Sequence, residues 1–241
     1  MYPNEEPPPV FDGQGLPEAF RAPLPPHADA GLEEGTWLVL GVGVVWQNGG
    51  NPREREIRER CAWSSIVSET KIVMETSHDW QGWQVSVRRE VELINRSLIS
   101  TTTVSQTSLR EMPLRWFAHP FFPLMEDGSC CLPDFPFSVK DQGALGNSES
   151  AYYVGDDGYL MQKLDATWDR AGHFQNLDFE PGVEPTILQR HPKLGLMQCS
   201  CAFPTSFMPV WANSNTFSFE PYYERTVLPG QDVTWTIRYD F

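Results

Sequence analysis

Residues Trp83–Leu93 read WQVSVRREVEL, and the period of that stretch is two. Trp83, Val85, Val87, Arg89, Val91 and Leu93 alternate with Gln84, Ser86, Arg88, Glu90 and Glu92. One face is largely apolar and the other wet, the pattern of a half-buried antiparallel strand. Leu98–Thr107 (LISTTTVSQT) is rich in β-branched residues and follows a turn at Asn95-Arg96-Ser97, which predicts a hairpin. The C-terminus repeats the pattern: Val233, Trp235, Ile237, Tyr239 and Phe241 alternate with Thr234, Thr236, Arg238 and Asp240, just after Pro229-Gly230. Asp127-Gly128, Pro133-Asp134-Phe135-Pro136, Asp156-Asp157-Gly158 and Pro181-Gly182 supply turn chemistry between many short strands. No window of about a dozen residues carries a 3.6-residue period, so the chain reads as an all-β sandwich or barrel with few or no helices. The run Arg53–Arg60 (REREIRER) fits either one or two helical turns or a charged edge strand.

Composition narrows the function. The 241 residues hold 32 acidic and 18 basic side chains, a formal net charge of −14. Nucleic acid is a poor partner for such a chain, because phosphate binding needs clustered Lys and Arg. Anionic lipid surfaces would repel it. The longest apolar stretch, Trp37–Trp46 (WLVLGVGVVW), is too short for a spanning helix, and the first thirty residues hold no apolar core of a signal peptide. Cys130-Cys131 and Cys199-x-Cys201 lack zinc-site spacing and read as reduced core residues, which points to the cytoplasm. Residues 1–10 read as a mobile Pro-rich tail, and residues 11–241 as a single β-domain without internal repeat. Oligomeric state is not legible.

Two segments break the alternation. Met112–Leu124 (MPLRWFAHPFFPL) sets Arg115 and His119 among bulky apolar residues, with prolines at 113, 120 and 123 that confine it to a strand end or sheet edge. Pro209–Tyr223 (PVWANSNTFSFEPYY) places Phe217 and Phe219 on one face, so Ser218 and Glu220 point to the other. A carboxyl flanked by Phe, Pro and Tyr is partly desolvated, which raises its pKa toward the range useful to a base. Aromatic density beside His119 suits a sugar, whose apolar C–H patches need ring faces to lie on. A capping or core role for the histidine, and an edge-strand role for the glutamate, remain the plain alternatives.

These segments resemble the galactose-mutarotase-like family, which includes aldose 1-epimerases and hexose-6-phosphate mutarotases. His119-Pro120-Phe121-Phe122-Pro123-Leu124 is similar to the family's His-Pro-aromatic-Phe segment. Trp211, Glu220-Pro221 and Leu228-Pro229-Gly230-Gln231 before the last strand look like its C-terminal signature, and Gly15–Phe20 with a Gly41-Val42-Gly43-Val44 strand resembles its entry region. The resemblance spans roughly residues 10–241 and implies an antiparallel β-supersandwich with a sugar site in a concave surface. It implies His119 as general acid and Glu220 as general base, with no metal and no organic cofactor. Arg115, Phe122, His78, Trp211 and Tyr222 are the matching candidates for substrate binding. His78, in Thr76-Ser77-His78-Asp79-Trp80, is the nearest match to a second active-site histidine, although a surface loop position is the plainer reading. Asp165, Asp169 and Asp178 are candidates for an acidic residue holding a sugar hydroxyl. Pro123 stands where many aldose epimerases have Asn, and the chain is shorter than usual for the family.

The expected function is therefore an isomerase that interconverts sugar anomers through acid–base ring opening. Two alternatives stand beside it: a carbohydrate-binding protein without catalysis, and a mutarotase for a sugar phosphate or acidic sugar, with Arg115 and Arg21 clamping the anion.

Overall fold

A computed structural model describes residues 15–26, 31–49, 55–140, 149–166, 168 and 172–241. Among them there are strands and turns and no α-helix. In chain order the first strands are β1 (Glu18–Phe20), β2 (Thr36–Val39), β3 (Gly43–Gln47), β4 (Arg55–Arg60), β5 (Ser64–Val67), β6 (Lys71–Trp80) and β7 (Trp83–Ile94). The middle of the chain gives β8 (Ser97–Gln106), β9 (Met112–Ala118), β10 (Phe122–Pro123), β11 (Ser129–Pro133), β12 (Ser138–Val139), β13 (Tyr152–Val154) and β14 (Leu160–Gln162). The last third gives β15 (His173–Asp178), β16 (Thr186–His191), β17 (Gly195–Ala202), β18 (Pro209–Ala212), β19 (Thr216–Phe219), β20 (Tyr222–Val227) and β21 (Asp232–Asp240).

Ten strands form one antiparallel sheet in the order β13-β14-β11-β16-β17-β21-β8-β7-β6-β5. Its centre is the stretch whose alternation is plainest in the sequence. Trp83, Val85 and Val87 of β7, and Val233, Trp235, Ile237 and Tyr239 of β21, are all buried. Local turns set the register: Gln81 and Gly82 both take positive φ (51° and 77°), and Trp80 pairs with Trp83 across that two-residue loop. Two left-handed residues match the twist of a hairpin. The β7–β8 hairpin closes with Ile94 opposite Ser97, as the turn at Asn95-Arg96 predicts.

Two smaller sheets, β1-β9-β20 and β10-β19-β18-β15-β12, face this one. Trp116 of β9 meets Trp235 of the large sheet at 5.3 Å, and Phe20 of β1 meets the same ring at 6.3 Å. Alternation along β9 puts Leu114, Trp116 and Ala118 into this shared core and leaves Arg115, Phe117 and His119 for the opposite side.

Two local expectations resolve differently. Arg55–Arg60 is an edge strand, exposed along its whole length and, among the described residues, paired only with β3; charge on an edge discourages pairing with other chains. Gly41 and Gly43 do not lie in one strand: Leu40-Gly41-Val42 is a turn that folds β2 back on β3, and Gly41 takes a φ of 75° there. Residues 1–10 lie outside the described residues. None of the described segments is a helix long and apolar enough to cross a membrane.

Candidate functional site

His119 follows the last residue of β9 and Glu220 the last residue of β19. Each is followed by a proline, which has no N–H to extend a ladder, so both side chains stand at strand ends where the sheet stops. His119 Nε2 lies 3.4 Å from Glu220 Oε1. They share a cavity of about 410 Å³ with Arg21, Phe121, Phe174, Trp211 and Tyr222. That volume is in the range of small-molecule sites.

The imidazole is held from behind. Its Nδ1 is 2.7 Å from the hydroxyl oxygen of Ser218, a residue with no solvent exposure. Ser218 and Glu220 share the face opposite Phe217 and Phe219, so one strand supplies both the carboxyl and the group that orients its partner. Fixing one ring nitrogen decides what the other can do.

Burial governs the charges. Glu220 is 4% exposed, and desolvation pushes its carboxyl up to about 7 while the Arg21 guanidinium partly opposes that rise. Desolvation also pulls the His119 imidazole down to about 4, and here Arg21 acts in the same direction. The contact is therefore between a neutral imidazole and a carboxyl that titrates near neutrality, rather than a fixed ion pair. Arg21 itself is exposed, continues the β1 ladder through its N–H to Arg115 O at 2.8 Å, and lies 5.3 Å from the centroid of the Phe117 ring.

Rings form the walls. Phe121 packs against His119 at 4.3 Å and edge-on to Trp211 at 6.1 Å. Tyr222 is stacked on Phe117 at 4.6 Å and on Phe207 at 4.1 Å, which fixes its ring. Trp211 depends on a glycine: at Gly172 (φ 68°) an added Cβ would lie 2.4 Å from Ala212 O and 2.8 Å from the indole. Gly172→Ala is therefore expected to displace Trp211, shifting its fluorescence, and to destabilise the fold by about 1 kcal/mol or more. Tryptophan emission spectra and thermal unfolding check both effects.

Five of the residues picked from sequence meet here: Arg21, His119, Trp211, Glu220 and Tyr222. Phe122, Arg115 and His78 do not. Phe122 is buried on the core side, paired with Phe217 and stacked on Phe219 at 5.6 Å; its neighbour Phe121 takes the cavity position, because successive residues point to opposite faces. Arg115 lies on the outer face of β9 but beyond the cavity, where Glu224, directly opposite on β20, holds its guanidinium. His78 is buried within β6 rather than on a loop, and its Nε2 accepts the Gly41 N–H at 3.1 Å. Burial keeps that ring below the ordinary histidine pKa, so it braces the β2–β3 turn as a neutral acceptor. Asp165 and Asp178 are exposed and outside the cavity lining, and Asp169 lies outside the described residues. Phe121, Phe174 and Ser218 were not singled out from sequence; the alternation of FSFE held the signal for Ser218. Among the described residues, no three His, Cys, Asp or Glu side chains converge as a metal site.

No protein-family model matches the chain, and no curated protein matches it by sequence. Solved structures do match in shape. A candidate aldose 1-epimerase from Escherichia coli K12 superposes with a TM-score of 0.55 at 12% identity, over 90% of this chain and 82% of that one. A galactose mutarotase-like protein from Clostridium acetobutylicum gives a TM-score of 0.54 at 13% identity, over 93% and 78% of the two chains. Another from Lactobacillus casei gives 0.52 at 12% identity, over 93% and 84%. At such identities the likeness speaks of backbone architecture alone: this chain has the all-β, galactose mutarotase-like fold.

Proposed function

We propose that the protein interconverts the anomers of a free aldose by acid–base ring opening at His119 and Glu220. The observation that carries this reading is a pair of adjacent titratable groups whose environments drive their pKa values in opposite directions, to about 4 and about 7. A binding module has no use for such a pair, whereas mutarotation needs one group to take the anomeric hydroxyl proton and another to protonate the ring oxygen. After the C1–C2 bond turns, the two exchange roles and the ring recloses on the other face of the aldehyde. The pair begins and ends each cycle holding one proton. The resemblance in sequence gives that proton to His119 at the outset; burial of both groups favours Glu220 as its holder, leaving Nε2 of a neutral imidazole to accept. Phe121, Phe174, Trp211 and Tyr222 would cover the C–H faces of the sugar, and Arg21 would steady negative charge developing on oxygen. No part of this scheme calls on a metal or an organic cofactor. The partner is a small carbohydrate rather than nucleic acid or membrane. The five cysteines are free thiols, which suits the reducing cytoplasm.

The test is polarimetry, or NMR exchange between anomers, on a panel of free aldoses. Acceleration is expected, and His119→Gln should lose about 10²–10⁴ of it. Saturable binding without turnover would instead make this a carbohydrate-binding protein.

A second reading rests on a groove beside the cavity, lined by Arg21, Arg115 and Arg225 with Glu224. Three guanidiniums against one carboxylate is a local excess of positive charge in an acidic chain. It favours a sugar that carries a phosphate or carboxylate. Arg225→Ala should then cost about tenfold in kcat/KM for glucose 6-phosphate and leave glucose unaffected. An unchanged kcat/KM for glucose 6-phosphate in the variant removes this reading.

A further inference from the structure

Arg89 is the charged residue on the otherwise apolar face of β7, between Val87 and Val91. It reaches across to β1: its Nη2 donates to Glu18 Oε1 at 2.6 Å and its Nε to Ser100 Oγ at 3.1 Å. The Glu18 side chain is only 3% exposed, and Arg89 with the Ser100 and Thr102 hydroxyls favours its charged form against the cost of burial. In the chain the two partners lie 71 positions apart. A buried pair of this kind adds little net stability over well-packed apolar residues, because desolvation offsets the attraction. What it adds is one defined geometry between the parts it joins.

β1 needs such a tie. It is three residues long and, among the described residues, pairs only with β9. Apolar packing leaves a space of about 170 Å³ between it and the large sheet, bordered by Glu18, Phe20, Arg89, Thr102 and Trp116. Non-directional contact does not fix a strand across such a gap. Yet the stretch around β1 carries much of the candidate site. β20 stops pairing with β9 at Phe117, and beyond that point the N–H groups of His119 and Phe121 go to Pro17 O and Gly15 O, each at 2.8 Å. At the other end of the stretch, Arg21 borders the His119–Glu220 cavity. Glu18 sits between these two holds. We propose that Glu18 and Arg89 are positioning residues for the His119–Glu220 site: their pair pins residues 15–21 to the large sheet and so keeps His119 and Arg21 in place beside Glu220.

The kinetic consequence rests on the reaction proposed above, whereas the placement of His119 is read without it. Glu18→Met/Arg89→Met replaces the pair by apolar side chains of similar length and leaves no buried charge behind, so the full chain should still unfold cooperatively. In that variant the ¹H NMR titration of the His119 ring, assigned through His119→Gln, is expected to move from about pH 4 toward 6.5, as Arg21 departs and water reaches the imidazole. kcat for anomer interconversion should fall about thirtyfold, with KM within about threefold of wild type. A pair that served stability alone would lower the melting temperature and leave both readings unmoved. Arg89→Lys, which keeps the charge, should hold kcat within about threefold of wild type. A folded double variant whose His119 titrates as in wild type overturns the proposal. Should that variant fail to fold, Glu18→Gln, of the same shape without the charge, decides by the same titration. Absence of turnover in the wild type would remove the proposed reaction and leave the titration to judge the placement.

Discussion

Glu220→Gln is expected to lose the proposed anomer interconversion by about 10²- to 10⁴-fold and, at the same time, to make the protein harder to unfold above neutral pH. The two effects have one cause. Glu220 is 4% exposed among the rings of the cavity, and its carboxyl is pushed from 4.5 up to about 7. The folded state therefore binds this proton more tightly than the unfolded state does. Below pH 4.5 the group is protonated in both states and costs nothing. As pH rises from 4.5 through about 7, the unfolded chain releases the proton first and stability falls. Above that window the accumulated loss is about 3 kcal/mol. A glutamine of the same shape carries no charge at any pH, so the variant escapes it. Thermal unfolding should show the variant equal to wild type near pH 4 and more stable by roughly 5–10 °C near pH 8. A variant that is inactive yet no more stable at high pH would mean that Glu220 is not held in a desolvating site.

The second large effect concerns the rate as a function of pH. One proton shared between His119 and Glu220 is the active state in the proposed mechanism. That state dominates between the two displaced pKa values, about 4 for the imidazole and about 7 for the carboxyl. Below the first, both groups are protonated and nothing accepts the anomeric proton. Above the second, the pair holds no proton to give to the ring oxygen. kcat/KM should then trace a bell, falling about tenfold per pH unit on each outer limb. The limbs belong to the pair as a unit. Ser218→Ala, which releases Nδ1 of His119, should shift the acid limb and lower kcat more than it raises KM. A rate that climbs through neutrality and stays on a plateau would identify the unprotonated pair as the active form and contradict this placement of the proton.

Much of this architecture is written locally. Alternation in Trp83–Leu93 and Val233–Tyr239, with short turns such as Gln81-Gly82, determines strands and hairpins, because a period of two and a left-handed turn are satisfied within a few residues. The same rule marks Ser218 with Glu220 as facing away from Phe217 and Phe219. His119-Pro120 and Glu220-Pro221 show strand ends in the sequence itself, since proline cannot continue a ladder. Those signals were enough for the fold class and for the two central residues of the candidate site.

Phase and distance were decided elsewhere. Phe121 and Phe122 are adjacent and equally apolar, and which of them faces the cavity depends on how β10 registers against β19. Arg115 shares a face with His119, but Glu224 captures it from a strand more than a hundred residues away in sequence. His78 turns inward because the turn at Gly41 needs an acceptor at that point. Local pattern alone makes the chain all-β and ends two aromatic strands in a histidine and a glutamate. That those ends meet, with Arg21 beside them, is set by the packing of separate sheets. Strand periodicity is a property of neighbouring residues, whereas cavities and displaced pKa values arise from sheets that pack together over long separations in the chain.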